Sequence, residues 1–357
     1  MSSDSTTLTE PTSGEVPSDA VLSVRDLRVW YGTERGAAKA VNGVSFDIRP
    51  GETLGLVGES GCGKTTLGRG LLGLLPRGAF VDGDVTFKGT PMPPLGSKAH
   101  SALRGRELGM IFQEPMTRLN PLMRISEHFS EALKTHHPDM SDDEVKHASL
   151  EVLRVLGIPP TRFRSYPHEF SGGMRQRLTI ALALVLRPAF IVADEPTTAL
   201  DVLVEAQIIR LLAQIRRDFD TSMLLITHNL GIVAEACDRV AVMYAGRIVE
   251  IGDARAVFRD PQHPYTQELL RSTISLQTTG LNFIPGAPPD LIDPPPGCLF
   301  HPRCPHAMQV CNSQFPVPMD VPPDQRVECW LHGPEDQIPP GGRDRLEQEE
   351  MSLADEA

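Results

Sequence analysis

The chain has 357 residues, 40% of them hydrophobic, which is enough for two or three packed domains. Its formal net charge of −12 comes mostly from the two ends, because the first 20 residues carry four acidic and no basic side chains, and the stretch from Glu335 carries eight acidic and two basic ones. The part between is nearly neutral and has no basic stripe, which argues against a nucleic-acid partner. We expect disordered acidic tails over 1–20 and 334–357.

The first 20 residues lack the basic start and apolar run of a signal peptide, and no apolar run approaches the roughly 20 residues of a membrane span. We therefore expect a chain that does not itself cross a membrane. Four of the six cysteines fall within 298–329. In a chain without a secretory signal, such a cluster favours a metal or iron–sulfur site over disulfides.

Apolar alternation over 21–48 predicts two strands joined by a Gly-rich turn, and the apolar run at 53–57 predicts a buried strand. A helix is predicted from about Lys64 to Leu75. Residues 79–88 are predicted to form a hairpin that turns near Gly83.

Residues 120–186 are predicted to be mostly helical, with breaks at prolines. Strands are predicted at 190–194 and 222–226 on either side of an amphipathic helix at 202–219, followed by a strand pair at 239–252. Strands that alternate with helices indicate a parallel sheet with crossover helices.

The stretch GESGCGKTT fits the phosphate-loop pattern G-x-x-x-x-G-K-[ST], with a buried strand before it and a helix after it. Its glycines allow backbone N–H groups to curl around a polyphosphate at a helix N-terminus. Lys64 is expected to reach the β- and γ-phosphates, and Thr65 to offer its hydroxyl to Mg²⁺. A Gly-rich turn without nucleotide is the alternative. The predicted ATP-binding residues of the loop are Gly58, Glu59, Ser60, Gly61, Cys62, Gly63, Lys64, Thr65 and Thr66.

The stretch FIVADEP supplies the carboxylate that a phosphate loop needs for Mg²⁺ at the end of a neighbouring strand. Asp194 would hold the metal, directly or through water. Glu195 follows it, where it could polarise a water in line with the γ-phosphate. The alternative is an ordinary helix N-cap after a strand.

The stretch FSGGMRQR, by itself, could be a helix start with Ser171 as N-cap. Its place far downstream of the phosphate loop, with Gly173 22 residues before Glu195, resembles the ATP-binding cassette (ABC) family, whose signature has the form L-S-G-G-Q. In that family the signature faces the γ-phosphate held by the other subunit. The resemblance therefore implies that Ser171, Gly172 and Gly173 contact a partner's ATP.

Other motifs of the family are present elsewhere in the chain, in the order that the family has them. Gln113 in MIFQEP resembles the glutamine loop near the metal, and Asp201 in TTALD resembles the loop that crosses the dimer interface. His228 in LLITHN resembles the histidine that contacts the γ-phosphate, and Tyr31 matches the aromatic that stacks on adenine. A lone histidine or aromatic is more often structural, but six motifs in order over about 20–260 identify a member of the family.

The resemblance implies an α/β P-loop NTPase fold of the ABC ATPase type, with a RecA-like parallel core, an antiparallel β subdomain and a helical signature subdomain. The predicted domains are a cassette over 21–260, with its helical subdomain at about 115–186, and a C-terminal cysteine-bearing extension over 261–333. The implied catalytic residues are Glu195, His228, Lys64 and Gln113, and the implied Mg²⁺ ligands are Thr65, Gln113 and Asp194.

Three departures from the bare ABC cassette indicate which branch of the family the chain resembles. They are Met174 at the end of the signature, the stretch HPYTQELL after the cassette, and the cysteine cluster. This combination resembles the ATPase subunits of oligopeptide/dipeptide importers. It implies a second ABC ATPase subunit different from this chain, two membrane-spanning permeases, an extracytoplasmic solute-binding protein and a peripheral position on the cytoplasmic face of the membrane. Nickel or another solute, a soluble ABC ATPase, and a nucleotide sensor without turnover remain alternatives.

The cysteines follow the spacing C-x5-C-x6-C-x17-C, which differs from the paired C-x2-C of zinc ribbons. Four thiolates suit a [4Fe–4S] cluster, and members of this importer group carry one in this segment. Zinc with a histidine replacing a thiolate, and unligated cysteines, are the alternatives. We expect a structural staple in a layer separate from the phosphate loop, so that losing it would change ATP affinity little. The predicted ligands are Cys298, Cys304, Cys311 and Cys329.

Overall fold

The computed structural model describes residues 19–113, 119–197, 201–272 and 283–346. In these ranges the strands fall into a four-stranded sheet of order β2-β1-β4-β5 and an eight-stranded sheet of order β11-β12-β10-β9-β3-β8-β7-β6. The strands are β1 (Leu22–Thr33), β2 (Gly36–Ile48), β3 (Thr53–Val57), β4 (Phe80–Phe87), β5 (Thr90–Pro91), β6 (Leu108–Ile111), β7 (Phe190–Asp194), β8 (Ser222–Ile226), β9 (Arg239–Tyr244), β10 (Arg247–Asp253), β11 (Met319–Val321) and β12 (Gln325–Val327). The helices are α1 (Lys64–Leu71), α2 (Lys98–Leu103), α3 (Ile125–His136), α4 (Asp142–Val155), α5 (Gly172–Leu184), α6 (Val202–Phe219), α7 (Leu230–Ala236), α8 (Ala254–Arg259) and α9 (Pro264–Arg271).

The larger sheet has a parallel core of β6, β7, β8, β3 and β9, and β10 then runs antiparallel to β9. Every residue of β3, β7 and β8 is buried, as expected for strands covered on both faces. The carboxyl ends of parallel strands meet at one edge of a sheet. The loops that follow β3, β7 and β8 are therefore brought together there, and they carry the phosphate loop, Glu195 and His228.

The smaller sheet is antiparallel, and it differs from the sequence prediction at 79–88. This segment is a single strand, β4, that pairs along β1 rather than a hairpin. Gly83 has φ +102°, and a Cβ there would lie 2.6 Å from the carbonyl oxygen of Asp26. The glycine thus permits close approach at a β-bulge in β1, between Arg25 and Arg28, and does not form a turn.

A helical group follows β6, and α3, α4 and α5 pack their apolar faces together in one buried cluster that reaches the core sheet. Ser141 begins α4 with a capping box, in which its hydroxyl accepts from the amide of Glu144 and the Glu144 carboxylate accepts in return from the amide of Ser141. Ser171 begins α5 in the same manner as N-cap, and its hydroxyl accepts from the amide of Met174 at 3.4 Å. The predicted helix Lys64 to Leu75 instead ends at Leu71, and Gly73 two residues later has φ +62°.

The C-terminal extension is joined to the cassette by the larger sheet, because β12 pairs antiparallel with β10 and adds β11 beyond it. An aromatic cluster of Tyr244, Tyr265 and Phe300 also joins the two, with ring centroids 4.5–5.4 Å apart. The extension therefore shares a core with the cassette.

The structure differs from the predicted tail at 334–357, because the chain remains packed as far as Leu346. The amide of Leu346 donates to the carbonyl of Ala307 at 2.9 Å, and the amide of Val310 donates to that of Gly342 at 3.0 Å. Ile338 and Leu346 pack against the hydrophobic clusters of the extension, which net charge alone does not show. The predicted tails at 1–18 and 347–357 lie outside the described residues. Within those residues, no helix has both the length and the apolar character to cross a membrane.

Candidate nucleotide-binding and catalytic site

The phosphate loop connects β3 to α1 and closes on its own lysine. Lys64 is buried, and its Nζ donates to the carbonyl oxygens of Gly58 at 2.8 Å and Glu59 at 2.9 Å. A Cβ at Gly63, where φ is +107°, would lie 2.0 Å from the carbonyl of Ala40, so only glycine fits there. None of the described side chains caps the first turn of α1. Its N–H groups are therefore available to an anion.

Cys62 occupies a variable position of this loop. It is buried, and burial raises the pKa of its thiol above the usual value even though Lys64 lies nearby. Its Sγ is 3.8 Å from Nζ of Lys64. The neutral thiol packs inside the loop, and its surroundings do not favour a reactive thiolate.

Thr65 and Asp194, the two residues predicted to serve Mg²⁺ from the loop and from β7, are brought together. The hydroxyl of Thr65 donates to Oδ1 of Asp194 at 2.9 Å. Asp194 is 1% exposed, and its Oδ2 has no hydrogen-bond partner among the described residues. Burial raises the pKa of Asp194, because no full ion pair compensates its charge. A hydroxyl beside a buried carboxylate with a free oxygen is a donor set that fits Mg²⁺.

Glu195 lies beside this pair and is held from two sides. Nε2 of Gln113 donates to its Oε2 at 2.9 Å, and Nδ1 of His228 lies 3.5 Å from its Oε1. Its backbone is left-handed, with φ 46°, and its amide donates to the carbonyl of Ile226 at 2.9 Å. A non-glycine residue in this conformation is costly and is often found at functional sites. The structure thus brings three of the predicted catalytic residues into one contact group.

Tyr31 comes from β1 of the smaller sheet and reaches the start of α1. Its hydroxyl lies 3.4 Å from Oγ1 of Thr66, the last predicted residue of the phosphate loop. The ring is half-exposed. Tyr31 is therefore placed beside the phosphate loop, and stacking on adenine remains a prediction.

The signature residues lie on the surface. Ser171 and Gly172 are exposed, and a Cβ added at Gly172 would meet no described atom within 4 Å. Among the described residues, no hydrogen bond or ion pair joins Ser171, Gly172 or Gly173 to the phosphate loop of the same chain. Asp201 caps α6, and its carboxylate accepts from the amide of Val204 at 2.9 Å. The preceding residues of its motif, 198–200, lie outside the described ranges.

The extension contacts the phosphate loop directly, contrary to the separate layer expected from the sequence. Arg303 donates from Nη1 to Oε2 of Glu59 at 2.8 Å and from Nη2 to Oε1 at 3.0 Å. The hydroxyl of Tyr265 accepts from the amide of Glu59 at 2.9 Å. Sequence reasoning missed both residues, because a pairing across 244 positions leaves no local pattern.

The four C-terminal cysteines are brought into one region. The amide of Cys298 donates to the carbonyl of Cys311 at 2.8 Å. Burial, with a smaller contribution from the charges of neighbouring cysteines, raises the pKa of Cys298 to about 12 and that of Cys304 to about 11. The pKa of Cys329 is raised mainly by burial and then by the other three cysteines. Such thiols would ionise only with a cation among them.

The cysteine side chains do not form a closed ligand cage. In the described part of the chain, no group of three or more histidine, cysteine or acidic side chains is arranged to hold a metal ion. The donor chemistry of four neighbouring thiols suits a cluster, since thiolates are the ligands that iron–sulfur centres use.

The chain matches two protein families. Residues 41–198 match "ABC transporter", and residues 249–311 match "Oligopeptide/dipeptide transporter, C-terminal region". It is 47% identical over 319 residues to the dipeptide transport ATP-binding protein DppD of Bacillus subtilis, covering 88% of this chain and 95% of that one. It is 48% identical over 305 residues to the oligopeptide transport ATP-binding protein OppD of Salmonella typhimurium, covering 84% and 91%.

Solved structures agree with these matches. CbiO1 from Clostridium perfringens, part of the ABC transporter complex cbiONQ, aligns with a TM-score of 0.59 at 28% identity and covers 68% of this chain and 92% of its own. The ATP-binding cassette MJ0796, solved as a dimer bound to ADP and Pi, aligns with a TM-score of 0.59 at 25% identity over 66% and 99%. The predicted fold class, an ABC-type α/β P-loop ATPase, is confirmed.

Proposed function

Since the chain belongs to the family of ATP-binding subunits of oligopeptide and dipeptide ABC transporters, we propose that it hydrolyses ATP to drive the uptake of di- or oligopeptides across the cytoplasmic membrane. The single observation that carries this function is the placement of Asp194 and Glu195. One carboxylate has a free buried oxygen beside Thr65, and the next is held by Gln113 and His228. Nickel or another solute remains the alternative cargo.

Some of these residues bind the nucleotide and its metal, and the others position the attacking water. Lys64 and the N–H groups at the start of α1 bind the phosphates and offset their charge. Thr65, Asp194 and Gln113 would hold Mg²⁺, which neutralises charge that develops on the transferred phosphoryl group. Glu195 orients and polarises the attacking water, and Gln113 and His228 keep its carboxylate in place. His228 is 68% exposed and so is also free to meet the γ-phosphate.

The exposed signature supports a dimer as the active form. Ser171 and Gly172 are exposed at the start of α5, and among the described residues none of the three signature residues bonds to the chain's own phosphate loop, which supports contact with ATP on a second subunit. Asp201 at the start of α6 lies at the same interface in this proposal. The second subunit is a related ABC ATPase on a different chain. Two permease subunits anchor the pair to the cytoplasmic face of the membrane, and a solute-binding protein delivers the peptide to them.

For the cysteine segment we propose a [4Fe–4S] cluster on Cys298, Cys304, Cys311 and Cys329. Two histidines near the cysteines each have one ring nitrogen beside a backbone carbonyl: Nδ1 of His301 lies 2.8 Å from the carbonyl oxygen of Cys298, and Nε2 of His332 lies 3.1 Å from that of Gln262. Such bonds are compatible with zinc ligation through the other ring nitrogen. The four-thiolate set is supported by the cysteines themselves, which lie close enough to raise one another's pKa. Zinc is the alternative metal.

The proposed function is tested by purifying the chain from membranes together with whatever remains bound, and by assaying Mg²⁺-dependent ATPase activity with and without peptide and binding protein. We expect two permeases and a second ATPase to co-purify, and peptide-loaded binding protein to raise turnover. Stimulation by a nickel-loaded binding protein and not by peptide would favour the alternative cargo. Turnover that ignores any membrane subunit would contradict the transport role.

A further inference from the structure

Two partly buried arginine–glutamate pairs join the cassette to the extension, and only one of them reaches the phosphate loop. Arg303 of the extension pairs with Glu59 of the loop through two bonds, at 2.8 and 3.0 Å. Arg247 of the cassette pairs with Glu328 of the extension through two bonds, at 2.9 and 3.1 Å. The second pair lies where β12 joins the sheet. The two pairs have the same chemistry in different places, so one can serve as a control for the other.

Contacts other than the pair with Glu59 also fix the position of Arg303. Its side chain is only 4% exposed. Nε donates to the carbonyl of Pro285 at 2.8 Å, and Nη2 donates to that of Ile284 at 3.1 Å. Nη1 also donates to the hydroxyl of Tyr244 at 3.3 Å. The guanidinium is therefore a rigid, permanently charged group aimed at the loop.

Glu59 is held at each of its polar groups. Its carboxylate accepts from Arg303, and its amide donates to the hydroxyl of Tyr265 at 2.9 Å. Its carbonyl accepts from Nζ of Lys64 at 2.9 Å. Two of these three restraints come from beyond the core cassette, on α9 and in the cysteine segment. They fix the residue whose carbonyl positions the phosphate-binding lysine.

The charge of Glu59 makes this pairing important for ATP. A carboxylate in a loop that wraps a polyphosphate repels the ligand, and repulsion between like charges is strong in a partly buried site. Arg303 cancels that charge. It also occupies the carboxylate on both oxygens, which prevents Glu59 from competing with the phosphates for Lys64.

We propose that Arg303 is a positioning residue for ATP binding, which acts through Glu59 and makes the nucleotide site depend on the cysteine-bearing extension. This rests on the proposed function of the loop as an ATP site. Arg303 immediately precedes Cys304 and ends the short 3₁₀ turn His301–Arg303. Gain or loss of a metal at Cys304 would therefore act directly next to Arg303, the residue that holds the phosphate loop.

The test compares Arg303→Gln with Arg247→Gln by equilibrium binding of ATP to the full chain, with thermal unfolding recorded for both. We expect Arg303→Gln to weaken ATP binding about tenfold, because an unpaired carboxylate is left beside the phosphates. Arg247→Gln loses an equivalent ion pair and should lower the unfolding temperature, but its ATP affinity should stay within about twofold of the parent. Arg303→Lys, which keeps the charge and loses the two-pronged geometry, should be intermediate.

A second substitution separates the effect of the uncompensated Glu59 charge from general loss of structure. Adding Glu59→Gln to Arg303→Gln removes the unpaired carboxylate and should restore most of the lost affinity, whereas a merely unfolded loop would not recover. Parent-like binding by Arg303→Gln would overturn the proposal, as would equal weakening by Arg247→Gln or no recovery in the double variant. Failure of the unaltered chain to bind ATP would instead overturn the proposed function itself.

Discussion

Gln113 donates a 2.9 Å hydrogen bond to the carboxylate of Glu195, although 82 positions separate them in the chain. The other carboxylate oxygen lies 3.5 Å from His228. An amide and an imidazole thus hold one carboxylate from two sides, next to Asp194, which we propose as a Mg²⁺ ligand. Glu195 can keep its orientation while Asp194 and Thr65 exchange partners with an incoming cation.

Replacing Glu195 with Gln should leave ATP binding nearly intact and lower turnover by about a hundredfold or more. The amide keeps the size and polarity of the side chain, but it cannot accept a proton from the attacking water. Steady-state ATPase rates of the assembled transporter, together with equilibrium ATP binding, provide the measurement. The closed, ATP-bound dimer should also persist longer in this variant.

The control for this substitution is Glu235→Gln, which makes the same chemical change at an exposed position on α7. Its turnover should match that of the parent protein. If Glu195→Gln retained near-normal turnover, Glu195 would have no role in activating water, and another group would have to supply it.

Replacing Ser171 with Arg should inactivate the ATP site of the partner subunit and spare the site on the altered chain. Ser171 is exposed at the start of α5, so a long cation there would fill the space meant for the partner's nucleotide without disturbing Lys64. Photo-crosslinking of an ATP analogue to each subunit of a mixed dimer identifies which site is lost. Loss of labelling on the altered chain's own phosphate loop would contradict action in trans.

Much of the site could be predicted because its parts are local. The phosphate loop lies at the end of one short apolar strand, and Asp194 and Glu195 lie at the end of another. Such strands are recognisable from a few consecutive residues. Parallel strands then bring their carboxyl ends together, which places the predicted catalytic residues side by side. The N-cap at Ser171 is equally local, since the hydroxyl and the amide it bonds lie three residues apart.

The remaining features depend on contacts between distant segments. The pair Arg303–Glu59 and the addition of β12 to β10 have no signal in either segment alone. The error at Gly83 has a related cause, because glycine serves equally for a turn and for the close approach of another strand. Packing of the chain up to Leu346 was hidden by the acidic composition of that stretch.

Protein purified without oxygen should contain about four irons per chain and absorb broadly near 400 nm, as expected for a thiolate-bound [4Fe–4S] cluster. Replacing Cys304 with Ser should remove the iron. It should also weaken ATP binding severalfold, because Arg303 is its direct neighbour and holds the phosphate loop. Metal analysis and ATP binding on the same anaerobic preparation measure both effects.

Cys237→Ser is the matched control for the cysteine experiment. Cys237 lies outside the C-terminal group, at the end of α7, and burial raises the pKa of its thiol to about 12. This variant should keep its full iron content. One zinc and no iron in the parent protein would favour the tetrahedral alternative, and an absence of metal would mean that the four cysteines are simply buried thiols.

His263 should make the protein less stable in mild acid. Burial, and to a smaller extent the nearby His332, lowers the pKa of this histidine to about 3, from an ordinary value of 6.5. Its Nδ1 accepts from the amide of Tyr265 at 3.0 Å, so the native fold requires the neutral ring. Below pH 6.5 the unfolded chain takes up a proton that the folded chain refuses until about pH 3, so stability falls as pH falls through this window.

The size of this effect follows from the linkage between protonation and folding. Between pH 7 and pH 5 the site should cost about 2 kcal/mol of unfolding free energy. In His263→Asn, which keeps an N-cap acceptor and does not titrate, that part of the pH dependence should vanish, although the variant starts from a lower stability. Denaturant unfolding at pH 7, 6 and 5 measures the slopes, and His147→Asn at an exposed position of α4 provides the control. Parallel slopes for the parent and His263→Asn would show that His263 is not held neutral by the fold.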